Sequence, residues 1–541
     1  MKKKILVSLS LGVLLFTTVS FKSDFFEIAK QLEIFTTLFK EINMNYVDEV
    51  NPAELMDSAI KGMLQDLDPY TNYWTEQEVE DARITNSGQY TGIGAAVLTK
   101  DKNITLMEVY KGYPADQAGL KAGDELIAIG GVNLAEFEND AGDLLKGAPG
   151  TEIPIVYKRQ EKQLETTIKR EEIEVKAVPF YSLMPNNVGY IVLSQFNRKA
   201  SAETEAAIKD LKEKGATSLV LDLRGNPGGL LTEAINVSNL FLPKGKLITT
   251  TKSTIKKYNK DYLTTNEPLD AQIPLAVLIN GRSASASEIV SGSLQDYDRA
   301  VVIGARSFGK GLVQRPKELT YGTQVKITIS RYYTPSGRCI QALDYWHRDE
   351  EGNAVRRGVA DYNEFTTTNG RTVYDGGGIL PDVEVPSAKL SAITEALLSD
   401  FAIFDFATRY YYNHTFKDLK DFKFTNGDYR DFEAYLKSSG FVYRTETEKA
   451  LEKAYLISKT DDLQQDISST FSELSKTIDI AKEKELKEKE NEISKLLIDE
   501  LVKRYFYRDG LYRYQLENNE VIKQAVAVLQ DTRQYTEILN P

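Results

Sequence analysis

The sequence predicts a multidomain α/β + β protein, and three observations carry that prediction. Its 541 residues exceed one core, since at roughly 100–200 residues per domain they imply about three or four domains. Hydrophobic residues make up 42% and charged residues 27%, the balance of a folded chain rather than a disordered one. The apolar pattern also changes period along the chain, from helical, to short β runs, to buried strands alternating with helices, and back to helical.

Residues 1–20 carry Lys2, Lys3 and Lys4 ahead of an apolar stretch from Ile5 to Val19, which reads as a secretory signal. Thr18 and Ser20 fit the small positions of a cleavage site, while Phe21 and the lack of Ala-x-Ala keep a retained anchor open. Either way the body is expected to be exported, to the periplasm or cell envelope. Residues 24–89 form an N-terminal helical region, with Phe25, Ile28, Leu32, Phe35, Phe39 and Ile42 at spacings of 3 and 4. Residues 90–172 hold short β runs (Gly94–Thr99, Ile104–Val109, Glu125–Ile129, Ile153–Lys158, Glu165–Lys169), interrupted by helix-compatible inserts at Pro114–Gly119 and Phe137–Leu145. Residues 173–386 alternate buried-strand runs with helices, at Tyr190–Leu193, Ser218–Leu223, Leu275–Ile279, Ala300–Ile303 and Val325–Ile329. Residues 387–541 read as an all-helical extension, whose charged run Lys482–Glu492 is expected to be a solvated helix face.

Composition narrows the chemistry. Sixty-seven Lys+Arg against 79 Asp+Glu give a net charge of −12, which argues against a nucleic-acid partner. One Cys excludes a disulfide framework within the chain, and two His, His347 and His414, leave little for a Ser-His-Asp triad. Cys339 and His347 have no second Cys/His pair nearby, so no metal or other cofactor is expected.

Two segments remain for catalysis. In Leu278–Ile289 an apolar strand ends in the small residues Ser283–Ala284–Ser285 before a helix-compatible run, where a Ser meets the positive helix end and backbone amides can bind an oxyanion. Taken alone, such a Ser-rich start is more often a helix cap. In Arg306–Gln314, Lys310 stands between Gly309 and Gly311 beside Phe308; desolvation there lowers a lysine pKa and makes the neutral amine a general base. A phosphate loop is opposed by Gly311, which follows Lys310 where Ser or Thr is required.

Together these segments resemble the C-terminal processing peptidases, or tail-specific proteases. Ser283–Ile289 resembles that family's nucleophile segment, and Phe308–Gly311 with Gln314 its base segment, Ser285 and Lys310 standing 25 residues apart. The resemblance implies a serine endopeptidase with a Ser-Lys dyad: Ser285 as nucleophile, Lys310 as general base and Gln314 as the residue orienting the lysine. It implies a crotonase/Clp-protease-like core in which Leu221–Gly229 supplies one oxyanion donor, at Gly228 or Gly229, and Ala286 the other. Leu67–Thr71, Tyr332–Gly337 and Gly377–Asp382 match further landmarks. Residues 90–172 resemble a PDZ domain through Pro114–Asp124, with Tyr90, Thr91, Gly92, Ile93 and Gly94 at the start of its carboxylate-binding loop.

The implied partners are proteins or peptides with free C-termini, cut near those termini. Two features depart from the family pattern: a polar insert over 342–375 and the helical extension, which offers a surface for an envelope adaptor or self-association. The rival expectation is a non-catalytic PDZ scaffold on a protease-like fold. It is opposed by the presence of Ser285, Lys310 and Gln314 together.

Overall fold

The computed structural model describes residues 25–100, 103–137, 141–350, 352–356, 358–387 and 389–540. The expected signal at 1–20 lies outside them. The chain divides into two compact units, one comprising residues up to 77 with 314–328 and the other 78–313 with 329–541.

In the first unit a helix over 25–45 is followed by Pro52–Gln65. Asn51 caps the second helix by accepting from Ala53 N, and Pro52 stands at its first turn, where a missing N–H costs nothing. Asp68 then turns the chain, its Oδ1 accepting from the amides of Tyr70 and Thr71 at 2.9 Å each. The strand Asn72–Trp74, in a region read as helical, pairs antiparallel with Gln324–Lys326. Three residues are too few for a strand pattern to stand out in the sequence.

In the second unit the sheet within residues 90–172 runs in the order Ala95–Lys100, Asn103–Val109, Glu125–Ile129, Glu152–Arg159, Lys162–Lys169, with Val132–Asn133 beside Glu125–Ile129. Ile104, Leu106, Leu126, Ile155 and Ile168 bury its inner face. Ala95–Lys100 ends that order, so one edge of the sheet is open among the described residues. Pro114–Gln117 is a single helical turn, and the Phe137–Leu145 segment holds a 3₁₀ turn at Ala141–Leu145 rather than an α-helix, with Gly142 inside it.

The α/β core is a six-stranded sheet in the order Phe180–Met184, Val188–Val192, Ser218–Asp222, Leu275–Ile279, Val301–Gly304, Val383–Glu384, parallel after its first, antiparallel pair. A sheet of this kind needs cover on both faces. Helices Ala200–Glu213, Leu231–Asn239 and Ala286–Asp296 supply Ile208, Val237, Ile289 and Val290 to one face. Helices Glu520–Gln530 and Thr532–Leu539 supply Ile522, Ala525, Val528 and Leu539 to the other. The last helices of the extension are thus a layer of the core. Val325–Ile329 is not a strand of this sheet: it belongs to Gln324–Tyr333, whose end pairs with Leu247–Lys252. Only Ser330 and Tyr332 of that strand are fully buried, the mark of a half-exposed antiparallel strand.

The rest of the extension is helical, closed around Phe406, Phe432, Leu497 and Leu501. The insert folds into two hairpins, Leu343–Arg348 with Ala354–Arg356 and Glu364–Thr366 with Thr372–Tyr374. No described helix is long and apolar enough to cross a membrane.

Candidate active site

Strand Leu275–Ile279 is buried throughout and ends at Asn280. The small side chains that follow let the turn fold tightly against its neighbours. Ser283 Oγ donates to Leu223 O at 2.8 Å and accepts from Asn280 N at 2.9 Å. Ala284 N and Ser287 Oγ both donate to Asn226 O at 3.0 Å. Ser285 closes the turn at φ 57°, ψ −111°, a backbone state that costs a non-glycine residue about 1–3 kcal/mol. It sits half-buried at the N-terminus of Ala286–Asp296, a helix buried along its whole length.

The glycine turn is stitched beneath Ser285. Asn226 Nδ2 donates to Leu193 O at 2.7 Å, while its Oδ1 accepts from Gly228 N at 2.9 Å. Gly228 has φ 100°, and a Cβ there would stand 2.9 Å from Ser285 Cβ and 3.0 Å from Ala286 N, so only glycine lets the two turns meet. The Gly228 amide is engaged by Asn226. Among the described residues, the amides of Gly229 and Ala286 have no acceptor.

The lysine loop is held to the same helix by one carboxylate. Glu288, fully buried, accepts from Ser307 Oγ at 2.5 Å and Gly309 N at 2.7 Å through Oε1, and from Ser285 N at 2.8 Å and Lys310 N at 2.9 Å through Oε2. A single oxygen therefore spans the backbones of Ser285 and Lys310. Burial pushes the Glu288 carboxyl up, opposed by these four donors. Tyr332 Oη donates to Lys310 O at 2.5 Å and stands 3.3 Å from Ser285 O. Phe308 is 43% exposed, so its ring is not the main cover of the loop. Ala342 N donates to Gly309 O and Gly311 N to Gln341 Oε1, at 3.0 and 2.7 Å. Glu288 lies within the Ser283–Ile289 motif, which by itself assigns it no catalytic role. The Ser-x-x-Glu spacing of Ser285 and Glu288 is the signal for its bond to the N-cap amide, whereas its bonds to Ser307, Gly309 and Lys310 have no local signature.

Gln314, on strand Leu312–Glu318, donates from Nε2 to Thr328 Oγ1 at 3.3 Å, and Thr328 Oγ1 donates to Asp68 Oδ1 at 3.1 Å. Thr71 Oγ1 closes this chain on Asp68 Oδ2 at 3.0 Å. In the PDZ segment, Tyr90, Thr91 and Gly92 pair with Ile173, Glu172 and Glu171. Ile93 O and Gly94 O accept from Ala115 N and Tyr110 N at 2.8 and 2.9 Å, which fixes the loop entering the open-edged strand. Burial pushes the Tyr90 phenol up.

The profile of Peptidase family S41 matches residues 187–345, a PDZ domain matches 105–159, a probable PDZ-protease C-terminal helical domain 393–529, and the N-terminal domain of the activating protease CtpB 17–78. The carboxy-terminal-processing protease of Bartonella bacilliformis is 38% identical over 324 residues, covering 58% of this chain and 73% of that protein. The carboxy-terminal processing protease CtpA of Bacillus subtilis is 33% identical over 358 residues, covering 66% and 75%. The chain belongs to the carboxy-terminal processing proteases of peptidase family S41. As a member it is a serine-type peptidase with a PDZ domain, an S41 core and a C-terminal helical domain. A probable CtpA-like serine protease of Staphylococcus aureus is 34% identical over 307 residues, 56% of this chain and 61% of that protein. Ser285, Lys310, Gln314, Gly228, Gly229 and Ala286 all fall inside the S41 match, whereas Tyr90–Gly94 precedes the matched PDZ stretch.

Proposed function

We infer that this processing protease cuts exported proteins near their C-termini with Ser285 as nucleophile and Lys310 as general base. The carrying observation is the Glu288 oxygen that accepts from the amides of both residues, beside two open amides at Gly229 and Ala286. Neutral Lys310 takes the Ser285 hydroxyl proton as Oγ bonds to the scissile carbonyl carbon. The oxyanion so formed is held by Ala286 N–H and Gly229 N–H, the Gly228 amide being engaged by Asn226. Collapse breaks the C–N bond, and the Lys310 ammonium returns its proton to the leaving amine. Lys310 then deprotonates a water as its oxygen bonds to the acyl carbon; collapse of this second intermediate breaks the Ser285 Oγ–C bond, and the Lys310 ammonium returns the proton to Oγ as the carboxylic acid leaves. Gln314, tied to Thr328, orients the lysine in this reading.

The PDZ domain supplies tail recognition. A substrate C-terminus adds to the open edge of Ala95–Lys100 with its carboxylate at Tyr90–Gly94, where a free carboxylate gains charge-assisted bonds that an amide does not replace. The basic and apolar residues 1–20 direct export and so set the substrate class as envelope proteins.

The test is cleavage of one unfolded protein carrying an apolar tail, free or amidated, followed by mass spectrometry. The free tail is expected to be cut several-fold faster by the intact chain, and neither by Ser285→Ala. Equal rates for the two tails would remove tail recognition, and cleavage by Ser285→Ala would remove the dyad.

A further inference from the structure

One helix reaches from the PDZ sheet to the glycine turn. Midway along Glu490–Asn518, Arg508 Nε and Nη2 donate to the two oxygens of Glu108 at 2.6 and 2.7 Å. Glu108 lies directly opposite Ala96, on the strand that pairs with the open-edged one. Tyr507 Oη donates to Asp116 Oδ1 at 2.7 Å and Arg504 Nη1 to Ala122 O at 3.0 Å, so three residues of one helix grip the PDZ domain. Tyr507 interrupts that helix at φ 60°, ψ −172°.

At the helix end, Asn519 Oδ1 accepts from Arg224 Nη1 at 2.8 Å and also caps the next helix, accepting from Val521 N and Ile522 N at 3.1 and 3.3 Å. Arg224 opens the glycine turn. Its guanidinium grips Asp222, with Nε 2.9 Å from Oδ1 and Nη2 2.6 Å from Oδ2, and Asp222 accepts from Tyr190 Oη at 2.6 Å. Arg224 and Asp222 are almost fully enclosed, at 14% and 5% exposure. A buried guanidinium needs acceptors for all its faces. Asp222 fills one, and Asn519, 295 positions away in sequence, fills another.

We propose that Arg224 is a positioning residue for the oxyanion turn, that Asn519 completes its hold, and that helix Glu490–Asn518 thereby links the PDZ edge to catalytic competence. This rests on the reading of Gly229 and Ala286 as oxyanion donors. Ile522 and Val528 pack the last helices onto the sheet, and the polar contact from Arg224 to Asn519 is made in addition to that packing. Exposed ion pairs contribute little by themselves, but Arg508–Glu108 is bidentate and its carboxylate is only 12% exposed.

Asn519→Ser and Asn519→Asp in the full chain test the proposal. Serine still caps the helix but falls short of Arg224, whereas aspartate does both. Hydrogen exchange of the bonded Gly225, Asn226 and Gly228 amides, measured in the Ser285→Ala background, is expected to quicken about tenfold in Asn519→Ser, the worth of one charge-assisted bond, and to return to its starting value in Asn519→Asp. In the active protein, kcat is expected to fall by a similar factor with KM within twofold, again rescued by aspartate. Unchanged exchange in Asn519→Ser overturns the proposal. Because exchange is read in an uncleaving protein, that result is distinct from a failure of the protease reading. For the PDZ end, Arg508→Glu and Glu108→Arg should each bring the free-to-amidated rate ratio towards one, and the double swap should restore it. A ratio unmoved by either single change overturns the link.

Discussion

The two faces of the central sheet are covered by very different parts of the chain. One face is packed by Ala200–Glu213, Leu231–Asn239 and Ala286–Asp296, helices that connect the strands themselves. The other is packed by Glu520–Gln530 and Thr532–Leu539, which arrive long after the last strand, Val383–Glu384. The near face buries polar groups with partners: Glu288 with four donors, and Ser287 and Ser291 bonded to Asn226 O and Ser287 O. The far face is mainly Ile522, Ala525, Val528, Leu529 and Leu539 against Val220, Leu278 and Val301. The near face therefore holds the Ser285–Lys310 geometry, and the far face supplies burial apart from its edge, where Asn519 meets Arg224.

The sharpest way to break this contrast is Glu288→Ala. It removes the acceptor shared by Ser285 N and Lys310 N and leaves buried amides unpaired. Cleavage by the folded variant is expected to fall by about 10³-fold or more, on the scale of losing an oxyanion donor. Activity within tenfold of the parent would show that the shared acceptor does not organise the site.

On the far face, Ile522→Ala should lower stability by about 2–4 kcal/mol in denaturant titration, with kcat per folded molecule unchanged. A loss of kcat without a loss of stability would erase the distinction between the faces.

A smaller effect is confined to the helical domain. Asp499 on Glu490–Asn518 is pushed up to about 6 by burial, opposed by its bond with Gln515 and the charge of Lys503. An acid whose folded pKa exceeds its unfolded value contributes stability that is full below the unfolded value, near 3.8, and lost as pH rises through the folded one. Asp499→Asn should therefore match the parent at pH 4 and exceed it by about 1–3 kcal/mol at pH 7, read from thermal midpoints across pH. Equal midpoints at both pH values would contradict the assignment.

What the sequence revealed follows the same division. Ser285 and Lys310 lie in short continuous motifs, so both could be singled out as candidates from the sequence. Strands Ser218–Asp222 and Leu275–Ile279 announced themselves as unbroken apolar runs, because a parallel sheet is buried on both faces. The chain Gln314–Thr328–Asp68 could not be read, since its second link spans 260 positions and none of the three residue types is rare. The docking of Ile522 and Val528 on the sheet was equally hidden: helical periodicity identifies an apolar face without saying what covers it. Gly228 and Gly229 are adjacent in the Leu221–Gly229 run, and only the bond from Gly228 N to Asn226 Oδ1 tells their amides apart.

A double-mutant cycle on kcat/KM tests whether Ser285 and Lys310 act as one unit on a backbone joined through Glu288. Ser285→Ala and Lys310→Ala, each verified as folded by circular dichroism, are expected to lose on the order of 10⁴-fold or more, and the double variant to lose no more than the worse single one. Retained cleavage by purified Ser285→Ala, or losses that multiply in the double variant, would contradict the account.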